Sequence, residues 1–187
     1  MTDPSLPPPG QTPDVVLVAK SFPPAFRSGG PVRSVAAMAE LLAASVDVRV
    51  VTSLDDNGHD LRGRRPRPVV VPSRRRPVLA VPADRWAPWR VVRQLRRLDA
   101  PTVHLNSLFH PAFSLAPLLA RRLGLLRPRR VILAPRGELG TGALGLKSRK
   151  KRVVLGVLRR GGLTRGVHWH ATSPDEAADI HRELGPD

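Results

Sequence analysis

Apolar residues along this chain follow two rhythms, short β-branched runs and longer stretches at helical spacing, and each change of rhythm marks an element. Asp14-Val15-Val16-Leu17-Val18-Ala19 is a run of the first kind, suited to a central first strand buried on both faces of a parallel sheet. The loop Lys20 to Pro31 carries paired prolines and glycines that forbid regular structure. Val32, Val35, Ala36, Ala39 and Leu42 then line one face of a helix whose first turn takes Pro31 or Val32. Val48, Val50 and Val51 within Asp47 to Thr52 predict a second strand, which completes one β-α-β unit. Ser53 to Pro66 is polar, with a turn at Asp55-Asp56-Asn57-Gly58. Arg67 to Pro72 and Arg76 to Pro82, joined by Ser73-Arg74-Arg75, predict two short or edge strands, because prolines stand at their ends.

The same alternation runs to the end of the chain. Val91, Val92, Leu95 and Leu98 give Pro88 to Leu98 the pattern of an amphipathic surface helix, with Arg90, Arg93, Arg96 and Arg97 in the remaining positions. Thr102 to Leu105 reads as a strand, Asn106 to Pro111 as a loop, and Phe113 to Leu123 as an apolar helix that Pro117 starts or kinks. Val131 to Ala134 is a strand, Pro135 to Gly142 a loop, Leu144 to Arg160 a long basic helix, and Val167 to Ala171 the last strand. A capping box announces the final helix, with Ser173 as N-cap, Pro174 at the first helical position and Glu176 three residues after the cap, and Gly185-Pro186 stops it. Strands alternating with helices predict an α/β fold, with a doubly wound and mainly parallel sheet. Ligands of such folds sit beyond the carboxyl ends of the strands, where the loops 20–31, 106–111 and 135–142 emerge.

Composition narrows the chemistry. With 187 residues, 41% of them hydrophobic, the chain has material for one packed domain, read as 14–187 behind a disordered proline-rich tail at 1–13. The absence of cysteine excludes disulfides, thiolate metal sites and cysteine nucleophiles. No apolar run is long enough to span a bilayer and no signal peptide is legible, which predicts a cytoplasmic protein, membrane-associated at most. The net charge is +16, and since lysine occurs only at Lys20, Lys147, Lys150 and Lys151, arginine supplies nearly all of it. Such a charge favours polyanionic partners: nucleic acid, anionic lipid or phosphorylated metabolites. Nucleic acid is disfavoured, because the chain has no tyrosine, four phenylalanines and three tryptophans, and none is interleaved with the arginine runs. The basic helix, with Lys147, Arg149, Lys150, Lys151 and Arg152 ahead of Val153-Val154-Leu155, is read either as a solvated face or as resting on anionic lipid.

Gly29-Gly30 ahead of a helix lets the backbone approach a phosphate or carboxylate closely, although a plain turn explains the pair as well. The spacing is neither the dinucleotide fingerprint nor a P-loop. Arg136-Gly137-Glu138 sets a guanidinium and a carboxylate on a loop at the ligand edge, able to hold a sugar hydroxyl or phosphate, or simply each other. Asn106, Ser107 and His110 add hydrogen-bonding capacity, the last read as a solvent-facing histidine. His168 and His170 share one strand face without a third nearby ligand, so no metal or other cofactor is predicted.

Four stretches taken together, VVLVAKSFPPAFRSGGPVRSVAAMAELL (Val15–Leu42), VHLNSLFHPAFSLAPLLARRLG (Val103–Gly124), LAPRGELGTGALGLKSRKKR (Leu133–Arg152) and WHATSPDEAADI (Trp169–Ile180), resemble the amino-terminal domain of family-4 glycosyltransferases of the GT-B fold. The resemblance implies a Rossmann-like, acceptor-binding domain of an enzyme that transfers a sugar, with retention, from a nucleotide-sugar donor to a glycan or lipid-linked acceptor. It implies that Gly29, Gly30 and Arg33 lie near the donor phosphates, and that Asn106, Ser107, His110, Arg136 and Glu138 line the acceptor side. The catalytic residue stays open, with Arg136 and Glu138 as the candidates, because PRGE stands where many members carry a histidine. The carboxyl-terminal domain that grips the nucleotide in that family is not found before Asp187, which implies a fragment, a truncation or a separately encoded half. Two competing expectations remain: a non-enzymatic Rossmann-like interaction module, and a basic nucleic-acid binder whose affinity falls steeply with salt.

Overall fold

The computed structural model describes residues 12–23, 25, 30–53, 55–56, 59–60, 69–71, 78–82, 87–140 and 148–185. Gly29, residues 1–11 of the predicted tail and the 144–147 start of the predicted basic helix lie outside them. Val16 to Ala19 are at most 3% exposed, as the unbroken apolar run requires of a strand covered on both faces. They belong to β1 (Val15–Ser21), which pairs in parallel with β2 (Val48–Ser53) on one side and β7 (Thr102–Leu105) on the other. Beyond β2 come β6 (Val78–Pro82) and the edge strand β5 (Val69–Val71), and beyond β7 come β8 (Arg130–Leu133) and β9 (His168–Trp169). The seven-stranded order is β5-β6-β2-β1-β7-β8-β9, and only the β5–β6 pair is antiparallel. Counted in chain order, the parallel members run 3-2-1-4-5-6, so the winding reverses between β1 and β7. This is the doubly wound, Rossmann-like α/β arrangement that the alternation of elements predicts.

The helices divide between the two faces. Leu17 and Ala19 of β1 pack with Val35 and Ala39 of α1 (Gly30–Leu42), whereas Val16 and Val18 face a larger core. To that core α2 (Pro88–Leu98) contributes Val91, Leu95 and Leu98, and α3 (Ala116–Arg122) contributes Leu118. Leu155 and Leu158 of α4 (Ser148–Arg160) and Ile180 of α5 (Pro174–Leu184) complete it. Burying a large aliphatic side chain of this kind contributes roughly 1.5–3 kcal/mol.

Several local expectations are corrected. β6 is no edge strand, because it pairs on both sides; its proline, Pro82, closes the strand opposite Thr52. The stretch read as a polar turn contains a minimal hairpin, β3 (Asp55–Asp56) with β4 (His59–Asp60). Residues 113–123 are not one α-helix: a π-helical turn, Pro111–Leu115, comes first and α3 begins only at Ala116. The wide turn arises where Leu115 N–H bonds back to His110 C=O, five residues away, and Pro117, lacking an N–H, sits in the first turn of α3. The last strand shrinks to His168–Trp169. Pro13, placed in the tail by its sequence, is buried, and Asp14 N–H bonds to Asp47 C=O beside it.

Candidate functional site

At the reversal point between β1 and β7 the carboxyl ends of the strands open into a cleft of about 490 Å³. Its walls come from Lys20 and Ser21 at the end of β1, Pro31 and Val35 of α1, Asn106 to Pro111 after β7, and Arg136 and Glu138 after β8. The α1 start and the PRGE segment therefore meet at one rim of the sheet. Gly30 is the first helical residue and is exposed, as is Arg33 one turn on.

Arg136 carries the most unusual backbone of the site. Glu138 N–H bonds to Pro135 C=O across a tight turn whose two central residues, Arg136 and Gly137, have φ of +55° and +76°. Two successive left-handed residues are the pattern of a type I′ turn, natural for glycine and costly for arginine by about 1–2 kcal/mol. The conformation is held from several sides. Nε and Nη2 of Arg136 donate to Asn106 Oδ1 at 3.2 and 2.7 Å, Nη1 donates to Ser34 Oγ of α1 at 3.2 Å, and Nη2 lies 3.8 Å from Met38 Sδ. The guanidinium thus spans the cleft from β8 to α1. Gly137 N–H donates to Glu176 Oε1 at 2.6 Å.

Glu138 does not pair with Arg136. Its carboxylate turns to the other wall and accepts from Ser107 Oγ at 3.0 and 3.2 Å, from Leu108 N–H at 2.6 Å and from Phe109 N–H at 3.1 Å. It fastens the loop after β7, and Lys151 of α4 approaches the same loop over the Phe109 ring at 5.1 Å. Ser107 O in turn accepts from the buried Ser114 hydroxyl at 2.7 Å. His110 is half-buried, not solvent-facing: its Nδ1 accepts from Ala112 and Phe113 N–H at 3.2 Å each and caps the π-helical turn. Asn106 and Ser107 are buried.

Behind Arg136 lies a polar cluster that the sequence did not announce. His104 is 3% exposed on the sheet face that carries Leu17, and its Nε2 lies 3.1 Å from Nδ1 of His170. Asn106 Nδ2 lies 3.3 Å from His104 Nδ1. Burial, then the neighbouring His170 and the Arg136 cation, pull His104 down to about 3. His170 is lowered for the same reasons, desolvation first and Arg136 second, with Glu176 opposing. For Glu176, burial alone would raise the carboxyl. The Thr172 hydroxyl, the backbone amides of Gly137 and Thr172 and the Arg136 charge outweigh it and hold the group below its ordinary value. The capping box is accordingly half of what its sequence predicts. Ser173 Oγ accepts from Glu176 N–H at 3.2 Å, but the Glu176 side chain reaches Thr172 N–H and Gly137 N–H, so it joins α5 to the Arg136 turn. His168, read as the partner of His170, is exposed.

A family model described as a glycosyl transferase 4-like domain matches residues 29–187. The chain belongs to this glycosyltransferase family. Neither a curated protein nor a solved structure matches it significantly. Within the glycosyltransferase 4-like domain, the predicted residues Asn106, Ser107, His110, Arg136 and Glu138 gather at one rim, with Gly30 and Arg33 exposed on the adjoining helix. His104 and Glu176 escaped sequence reasoning, because a histidine inside a strand and a glutamate inside a capping box each have an ordinary local explanation. The usable signal was the parallel register, which sets His104 and His168 on the same face of the sheet on either side of Ile132. Among the described residues no helix is long and apolar enough to cross a membrane.

Proposed function

We propose that this domain forms the acceptor side of a retaining glycosyltransferase that draws its sugar from a nucleotide-sugar donor. The observation that carries the reading is Arg136, a cation held by four contacts in a strained turn across the switch-point cleft. In a transfer of this kind negative charge grows on the departing nucleoside diphosphate, and donors fixed in advance stabilise it without reorganising. The amino end of α1, with Gly30 and the exposed Arg33, offers N–H groups and a positive helix end on that side of the cleft. Asn106, Ser107 and His110 shape the acceptor wall, Arg136 faces the reacting centre, and Glu138 acts by holding the loop 107–109 in place. A glycan or the headgroup of a lipid-linked acceptor supplies the hydroxyl chemistry that such a wall recognises.

A membrane surface suits the second kind of acceptor. α4 turns Leu155 and Leu158 inward and leaves Val153 66% and Val157 54% exposed among the exposed Arg149, Arg152, Arg159 and Arg160. Exposed valines beside arginines favour an anionic lipid interface over a purely solvated face. The central reading is tested by NMR titration of the chain with nucleotide sugars and with glycan acceptors. Amide shifts at Gly30, Asn106, Arg136 and Glu138, abolished in Arg136→Ala, are the expected result; four unmoved resonances with every donor and acceptor overturn it.

A further inference from the structure

Arg136, Asn106, His104 and His170 form one continuous line of hydrogen bonds, and elementary donor–acceptor accounting gives that line a direction. A guanidinium only donates, so Asn106 turns its Oδ1 toward Arg136. This fixes the amide. Nδ2 then faces inward, 3.3 Å from His104 Nδ1, 3.2 Å from His104 C=O and 3.4 Å from Val18 C=O. A hydrogen on His104 Nδ1 would face the hydrogens of the amide, so that nitrogen keeps its lone pair and the ring carries its proton on Nε2. Nε2–H points at His170 Nδ1, 3.1 Å away, which leaves His170 protonated on its own Nε2.

We propose that His104 and His170 are positioning residues that hold Arg136 in the cleft through Asn106, in the single donor direction Arg136 to Asn106 to His104 to His170. Neither ring touches the cleft; both act through the amide. A proton added to either acceptor nitrogen, His104 Nδ1 or His170 Nδ1, sets two donors face to face. A proton on His170 Nδ1 is accommodated when His104 gives up its Nε2 proton and carries one on Nδ1 instead, so in both cases a hydrogen comes to face the Asn106 amide; rotating that amide relieves the clash, presents Nδ2 instead of Oδ1 to Arg136 and releases the guanidinium. The charged groups around the pair are Arg136 from the β8 turn and Glu176 from α5, with His168 of β9 two residues before His170. Arg136 disfavours a protonated ring in both cases, and burial acts the same way. His170 is the more exposed of the two and is the end at which a proton enters. The purpose assigned to the line rests on the proposed role of Arg136; its direction does not.

The test is long-range imidazole 15N NMR on the full chain. The expected result is a pyrrole-type Nε2 and a pyridine-type Nδ1 on His104, unchanged across about pH 5–8, where an ordinary histidine titrates. Finding His104 protonated on Nδ1, or titrating within that range, overturns the proposal. Asn106→Asp still accepts from Arg136 but has nothing to donate, so it draws a proton onto His104 Nδ1; an unaltered His104 spectrum in that variant also overturns it. His170→Phe removes the terminal acceptor, and hydrogen exchange at Arg136 Nε–H is expected to accelerate about tenfold, the effect of one lost hydrogen bond. Unchanged exchange there refutes the positioning role. If the tautomers are as assigned while Arg136→Ala leaves nucleotide-sugar binding intact, the directional line stands and the glycosyl-transfer reading of the cleft falls.

Discussion

Acidifying this protein should destabilise it through His104 before Glu176 responds. In the unfolded chain the imidazole takes up a proton near its ordinary value of 6.5, whereas in the folded chain it resists down to about 3. The unfolded state therefore binds more protons throughout that window, and the sign follows: the contribution of a neutral His104 is complete above 6.5 and shrinks as pH falls toward 3. Each unit of pH within the window costs about 1.4 kcal/mol, so moving from 6.5 to 4.5 removes about 2–3 kcal/mol. That is a large share of the roughly 5–15 kcal/mol of a typical domain. His170 is shifted in the same direction and steepens the loss. Glu176 works in a separate range, because its folded value is lowered: its contribution is complete above its ordinary value of 4.5 and declines only below it. Urea unfolding at a series of pH values checks this, comparing the wild type with His104→Gln. The wild type should lose stability steadily below 6.5 and the variant should lose less, by about one proton's worth of slope. Parallel curves for the two proteins would refute the reasoning. If the variant fails to fold cooperatively, imidazole NMR of the wild type decides, and a His104 that protonates near 6.5 refutes it equally.

Arg136→Gly should separate stability from binding: relief of about 1–2 kcal/mol of positive-φ strain offsets much of the lost hydrogen bonding, so the urea midpoint barely moves while nucleotide-sugar affinity falls at least tenfold by titration calorimetry. A parallel drop in both would show the arginine to be structural. Glu138→Ala strips the acceptor from Ser107, Leu108 and Phe109 at once, with an expected cost of about 2–3 kcal/mol and accelerated amide exchange at Leu108 and Phe109; unchanged exchange at those two amides would mean that the loop holds itself. Vesicle sedimentation should show binding to anionic but not zwitterionic lipid, lost at high salt, and weakened about fivefold by each of Arg149→Gln and Arg152→Gln. Equal binding to both lipids refutes an electrostatic role for α4.

The sheet was legible because parallel strands covered on both faces are written as apolar, β-branched runs: Val16 to Ala19 without a break, and Val48, Val50 and Val51 interrupted by Arg49 alone. Helix faces were legible for the complementary reason, as Val91, Leu95 and Leu98 show. The places where reading failed share a cause. Local pattern predicts what a residue does for its own element, and the half-made capping box and the buried His104 both answer to partners far away in sequence. Glu176 meets Gly137 across 39 positions and His104 meets His170 across 66. The rim itself was readable from topology, since any fold wound in this order brings the loops after β1, β7 and β8 to one edge; which atoms face each other there was not.

That distinction bears on why an arginine occupies the strained turn at all. A loop needed only to join β8 to α4 is closed without strain by glycine or asparagine at the first central position. Arginine there opposes the backbone and must also surrender water, since burial lowers the guanidinium below its usual range even with Glu176 nearby. Contacts with Asn106 and Ser34 offset part of that cost. Folding alone therefore gains little from Arg136. What the arrangement does provide is a cation whose direction is settled before any anion arrives, and fixing a side chain with so many rotamers in advance removes an ordering cost of about 1 kcal/mol from binding. The strain, the buried histidines behind it and the carboxylate that ties its turn to α5 all fit the proposed negatively charged occupant of the cleft.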